Sequence, residues 1–217
     1  MLVDGRGNST FPTNSMDTAE ITWKGGLGND EMDAYFTSAG DTTIHLTDDT
    51  LDVDGTDQLN LYCADFACNL LSRENFVANL HDLESLNTST VERIDILRDE
   101  DGDGWQPHVS IQSLFIDLND GENSMFFDDT MAQMQVYGGK DADSFYVGQL
   151  YNSPRDEING NVQISDPIST TETTKGYLSD GNSHPITING QGGRDVSSLF
   201  WIGIASCYMK LTHAPVL

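Results

Sequence analysis

Gly25-Gly26-Leu27-Gly28-Asn29-Asp30-Glu31-Met32-Asp33 is the stretch on which the reading of this chain turns. Glycines permit positive φ at a sharp corner, where other residues are strained. The Asp after such a corner can aim its carboxylate between two stacked turns, and the alternation that follows points one side chain in and the next out. The element recurs, each time as an alternating apolar stretch, a corner with Gly and Asp or Asn, and a second apolar stretch. Further copies are Leu51-Asp52-Val53-Asp54-Gly55-Thr56-Asp57, Ile116-Asp117-Leu118-Asn119-Asp120-Gly121-Glu122-Asn123-Ser124-Met125 and Val136-Tyr137-Gly138-Gly139-Lys140-Asp141-Ala142-Asp143-Ser144-Phe145. Ile186-Thr187-Ile188-Asn189-Gly190-Gln191-Gly192-Gly193-Arg194-Asp195 reads as a copy with one extra residue, and Val3 to Phe11 as a degraded one.

Aligned at their corners, the copies stand at positions 7, 28, 55, 121, 141 and 193, with steps of 21, 27, 66, 20 and 52. Two steps lie near 20, and 66 is about three of them, so the unit is a coil of about 20 residues with longer excursions. That is too short for a βαβ unit, which needs about 30. The spacing predicts an all-β, right-handed parallel β-solenoid of about 20 residues per coil, each coil burying its inner face against the next. Residues 1–217 read as one segment, which starts in mid-pattern and is expected to belong to a longer repeat protein.

Two segments interrupt the pattern. Residues 69–90 hold apolar side chains at 76, 77, 80, 83 and 86, behind a capping Ser72. This is helical spacing and predicts a short helical or irregular excursion. Residues 152–183 are rich in Ser, Thr, Asp, Asn and Pro and predict a polar excursion. The apolar run Leu199 to Ile204 is expected in a cap or a subunit contact.

The 217 residues carry 10 Lys plus Arg against 35 Asp plus Glu, a formal charge of −25. Such a surface repels phosphate backbones and anionic lipid, which excludes nucleic acid and a membrane surface as partners. No run of 18 apolar residues is present, so no spanning helix is expected, and no signal peptide is read at Met1. Hydrophobic residues are 37 % of the chain, which implies a thin core. Asp, Asn and Gly together are residues of tight turns and of hard-cation loops. Bound divalent cations would relieve the self-repulsion of the charge; a saline habitat is the alternative.

The expected calcium ligands are the corner residues Gly26, Gly28, Asp30, Asp57, Gly121, Asn123, Gly139, Asp141, Asp143 and Asp195. Calcium takes 6–8 oxygens, so carboxylates and Gly carbonyls from two stacked corners are needed to complete a shell. The competing reading is that Gly and Asp simply make good turns. Asp99, Asp101 and Asp103, followed by Gly104, are further expected calcium ligands that resemble the front of an EF-hand loop; the twelfth position is Ser110 and not a bidentate Glu, which points to a dockerin-like or free-standing Asp loop rather than a true EF-hand.

Catalytic motifs are missing from the sequence. None of His45, His81, His108, His184 and His213 stands in a metal or triad pattern, and there is no nucleophile elbow or phosphate loop. Asp48-Asp49 and Asp128-Asp129 resemble glycosidase pairs, but acidic neighbours are expected by chance in this chain. Spacing leaves a Cys63–Cys68 bridge undecided. Asn8 and Asn87 open glycosylation sequons.

Gly25 to Asp33 fits the nonapeptide Gly-Gly-x-Gly-x-Asp-x-apolar-x, and with its relatives it resembles the RTX, or haemolysin-type, calcium-binding repeats of large microbial extracellular proteins. The stretches 143–156 and 171–193 resemble the same arrays. The resemblance implies Ca²⁺ as the cofactor, an extracellular or cell-surface location, and a structural, matrix or adhesive role without enzymatic activity. Implied partners are flanking repeats, further copies of the chain, and surface glycans. The corners lie about 20 residues apart rather than nine, and Lys140 and Arg194 sit inside two of them. A carbohydrate-active parallel β-helix enzyme is the rival, marked by clustered carboxylates in a groove. A glycan-binding module is a third reading, marked by exposed Trp or Tyr in a row.

Overall fold

The computed structural model describes residues 2–3, 9–10, 19–24, 28–36, 42–47, 56–64, 67–73, 76–80, 92–98, 106–107, 111–130, 132–148, 170–173, 176–179, 182–199 and 209–213. Nineteen strands, numbered in chain order, lie in these residues. One sheet is wholly parallel, in the order β19 (Met209–His213), β17 (Ile186–Gln191), β13 (Gln133–Tyr137), β11 (Ile111–Asp117), β6 (Asp57–Cys63) and β4 (Glu31–Phe36). The second runs β18 (Val196–Leu199), β14 (Ser144–Val147), β12 (Ser124–Phe127), β7 (Asn69–Arg73), β8 (Phe76–Asn79), β9 (Glu92–Arg98), β5 (Thr42–Thr47) and β3 (Ala19–Lys24), with β10 (Gln106–Pro107) also on β9. Two antiparallel pairs form sheets of their own, β1 (Leu2–Val3) with β2 (Ser9–Thr10), which lies beside β4, and β15 (Thr170–Thr173) with β16 (Gly176–Ser179).

Alternation explains the parallel sheet. Ala34, Leu61, Ile116, Val136 and Ile188 are partners in register across five strands, and all are buried. The residues between them face outward. The inner side chains meet Leu70, Met125, Phe127, Phe145 and Val147 of the second sheet in one core cluster. Around Asp117–Ser124 and its relatives the chain passes from the first sheet to the second through a Gly/Asp corner. Leu118 is buried at the start of one such corner and shares the core cluster with Val136, while Tyr137 faces outward.

The expected solenoid is corrected here. The second sheet is mixed: β8 runs antiparallel to both β7 and β9. Along the parallel sheet Ile116 pairs with Val136 and Val136 with Ile188, the 20- and 52-residue steps read from the corners, whereas Leu61 pairs with Ile116, a shorter step than the 66 read there.

The helix expected within 69–90 is corrected as well. Residues 69–73 and 76–79 form β7 and β8, with Arg73 pairing with Phe76 across positions 74 and 75, and residues 81–90 lie outside the described residues. Phe76, Val77, Ala78 and Asn79 are all buried. Val77 joins the central core, whereas Phe76, Ala78 and Leu80 join Leu71 on the other face. A strand buried on both faces needs consecutive apolar residues, and over so short a run these mimic helical spacing. Among the described residues there is no helix. Within the polar segment 152–183, β15 and β16 form an antiparallel hairpin.

Candidate functional site

The corners leading into the mixed sheet form a column of side-chain hydrogen bonds. Cys68, Asn123, Asp143 and Asp195 occupy one register position, immediately before β7, β12, β14 and β18. The Cys68 N–H donates to Asn123 Oδ1 at 2.8 Å, and the Asn123 N–H to Asp143 Oδ1 at 3.0 Å. Asn123 Nδ2 adds a second bond to Asp143 Oδ1 at 2.9 Å, and the Asp143 N–H donates to Asp195 Oδ1 at 3.2 Å. Two residues earlier, the Gly121 N–H donates to Asp141 Oδ2 at 3.0 Å. Asp and Asn side chains are thus acceptors that add inter-strand bonds at the bend, beside the backbone bonds that the Cys68, Asn123 and Asp143 carbonyls accept from Ser124, Ser144 and Val196.

A second column stands before the parallel sheet. The Asp30 N–H donates to Asp57 Oδ1 at 2.8 Å, the Thr56 N–H to Asn29 Oδ1 at 2.8 Å, and the Asp57 N–H to Gln112 Oε1 at 2.5 Å.

Glycines make the first column possible. A Cβ on Gly138 would fall on Asp143 Oδ2, and one on Gly190 would fall on Asp195 Oδ2. Each carboxylate folds back over the glycine five residues before it, and Gly25 has the same spacing from Asp30 in the sequence. The Gly-x₄-Asp spacing was therefore a sequence signal for packing that the Gly-x-Asp reading passed over. Gly139 has φ 103°, and a Cβ there would strike the Asn119 carbonyl of the adjoining corner. Since Asn189↔Tyr137 and Val196↔Ser144 share one offset, the copy ending at Asp195 has no extra residue. Lys140 is no intruder either: its exposed ammonium reaches Asp120 Oδ2 at 2.8 Å in the neighbouring corner.

Oδ2 of Asp143 and Oδ2 of Asp30 are buried and accept no hydrogen bond. Burial is the main reason that Asp143 is pushed up to about 6; hydrogen bonds from Asn123 oppose the shift, and Asp195 and Asp141 add to it. Among the described residues no three or more His, Cys, Asp or Glu side chains converge as a metal site. An ion at these corners would therefore have to draw on backbone carbonyls as well as the orphan oxygens. Gly28 and Asp57 stand at their described corners; Gly26, Asp99, Asp101 and Asp103 lie outside the described residues.

The acidic pair Asp128-Asp129 is engaged structurally. Asp128 Oδ2 accepts from Nε of Arg73 at 2.9 Å, with both side chains buried. Asp129 accepts from the Ser183 N–H at 2.7 Å and the Ser183 hydroxyl at 3.1 Å. His184 is tied through its backbone N–H to the Thr130 hydroxyl at 2.9 Å. Cys63 ends β6 and is disulfide-bonded to Cys68 before β7 with Cα atoms 6.2 Å apart, closing the one corner in the first column that lacks Asp or Asn at this position.

The outward face of the parallel sheet carries a feature only hinted at by the aromatic count. Tyr35 stacks on Tyr62 with centroids 4.9 Å apart, Tyr62 meets Phe115 at 6.1 Å, and Phe115 meets Tyr137 at 5.2 Å. Glu31, Asp33 and Asp117 share this face. Tyr62 has its pKa raised by burial first, then by Asp33, Tyr35, Glu31 and Asp117.

No family model, curated protein or solved structure matches this chain.

Proposed function

We propose that this chain is a calcium-rigidified structural segment of an extracellular protein, able to associate with flanking repeats or with further copies. The observation that carries this reading is the buried, unpartnered Oδ2 of Asp143 inside a column of stacked corners. A buried carboxylate oxygen without a donor costs free energy until a cation or a proton meets it. Calcium supplies a hard positive charge to oxygen ligands, and Asp143, Asp195, Asp141 and Asp30 are the side chains of this chain that would serve it. The Cys63–Cys68 bridge supports an oxidising, extracellular setting. The hydrogen-bonded engagement of Asp128 and Asp129 supports a scaffold over the rival enzyme.

The test compares thermal unfolding and light scattering of the chain in calcium and in chelator. Calcium should raise the midpoint of the wild type, and that of Asp143→Asn by less. An unchanged midpoint in the wild type defeats the calcium reading, and a chain that stays monomeric in calcium defeats self-association.

A further inference from the structure

We propose that the outward face of the parallel sheet, at its β4 margin, binds an arginine-bearing polypeptide segment. β4 is the outermost strand of that sheet, and Tyr35 is its exposed aromatic residue, 53 % accessible. One face of the Tyr35 ring is covered by Tyr62, at an interplanar angle of 20°, so the row of four rings ends here. A planar group laid on Tyr35 would extend that row by one member.

Charge decides which planar group. Glu31 and Asp33 stand on the same strand and the same face as Tyr35. Asn60 Nδ2 holds Glu31 Oε1 at 2.7 Å and Asp33 Oδ1 at 2.8 Å, which fixes both carboxylates and leaves the second oxygen of each outside that network. The Asn60 amide is itself fixed by Gln58 Nε2, which donates to Asn60 Oδ1 at 2.6 Å. No Lys or Arg occurs in β4, β6, β11, β13 or β17, so nothing in these strands neutralises Glu31, Asp33 and Asp117. A neutral sugar would use the ring and leave the charges unmatched. A guanidinium uses both, because it stacks on aromatic faces and offers a fork of donors to carboxylates. Lysine offers the charge without the plane, and it should bind more weakly. The exposed edges of the inner rings carry the positive rim of the aromatic quadrupole, which places the cation at Tyr35 rather than along the row.

The experiment titrates the intact, disulfide-bonded chain with hexa-arginine, hexa-lysine and cellohexaose by calorimetry, at low and high salt. Hexa-arginine should bind most tightly and lose affinity with salt. Tyr35→Ala and the pair Glu31→Gln/Asp33→Asn should each weaken it by about tenfold, while Tyr35→Phe keeps it within about twofold. The charge-matched pair Asp120→Asn/Glu122→Gln, on the corner that follows β11, should also stay within about twofold. Equal losses from the two charge-removing pairs would reduce the binding to bulk attraction by a polyanion and overturn the proposal. So would preference for cellohexaose, or equal affinity for the lysine and arginine peptides. Unchanged circular dichroism of each variant separates lost binding from lost fold.

Discussion

Replacing Gly138 with Ala tests whether the corners are built around the back-folded carboxylate. The added Cβ would land on Asp143 Oδ2 and lie 3.1 Å from the Gly190 carbonyl of the next corner. Neither neighbour can yield freely. Asp143 Oδ1 holds two donors from Asn123, and the Gly190 oxygen belongs to backbone. Overfilling a packed site costs about 1–3 kcal/mol. If the carboxylate swings out instead, the buried Asn123 N–H loses its acceptor, at about the same cost. The lost chain entropy of Gly in the unfolded state returns about 0.4–1 kcal/mol. The net expectation is a loss of about 1 kcal/mol, or about 2–4 °C in midpoint for a chain of this size. Urea unfolding of Gly138→Ala, Asp143→Ala and the double variant measures the coupling. With the carboxylate gone, only the contact with the Gly190 carbonyl remains, so the alanine at 138 should cost less, giving a coupling of about 1 kcal/mol. If Gly138→Ala costs the same in both backgrounds, within about 0.5 kcal/mol, the carboxylate does not set the need for glycine and the account of the corner is wrong.

Asp143 should also make stability depend on pH. Its folded pKa, about 6, lies above the ordinary aspartate value, so the folded chain holds the proton more tightly. The resulting stabilisation is present below about pH 4 and is lost as pH rises through about 6. In chelator, Asp143→Asn should therefore gain on the wild type between about pH 4 and pH 7, measured by urea midpoint; a constant difference contradicts the assignment. Replacing Cys63 and Cys68 together with Ala should lower stability by about 2 kcal/mol from the entropy of their short loop, read by thermal melting, and an unchanged melt would show that the bridge constrains nothing. Arg73→Met removes the buried guanidinium that Asp128 Oδ2 accepts from and should cost about 3 kcal/mol or more, while Arg73→Met with Asp128→Leu should cost less than the single change. Additive losses in that pair would deny the coupling.

The sequence by itself determined the strand periodicity and the corners. Ile116, Val136 and Ile188 announce an inward face, and Gly139 announces a tight turn, because side-chain alternation and positive-φ preference are local properties. It also placed the corners at Gly121 and Asp141 one step apart, and these corners do lie side by side. Tertiary structure decided the rest. Phe76-Val77-Ala78-Asn79 reads equally well as helix or buried strand until cores on both faces claim it, and the antiparallel course of β8 that made one sheet mixed followed from that. The partner of each Asp was likewise beyond the sequence. A carboxylate between stacked turns can hold an ion or a backbone N–H, and only the register of β12, β14 and β18 brings the N–H of Asn123 to Asp143 and that of Asp143 to Asp195. Tyr35, Tyr62, Phe115 and Tyr137 are scattered across a hundred positions of the chain, and parallel pairing alone assembles them into one row.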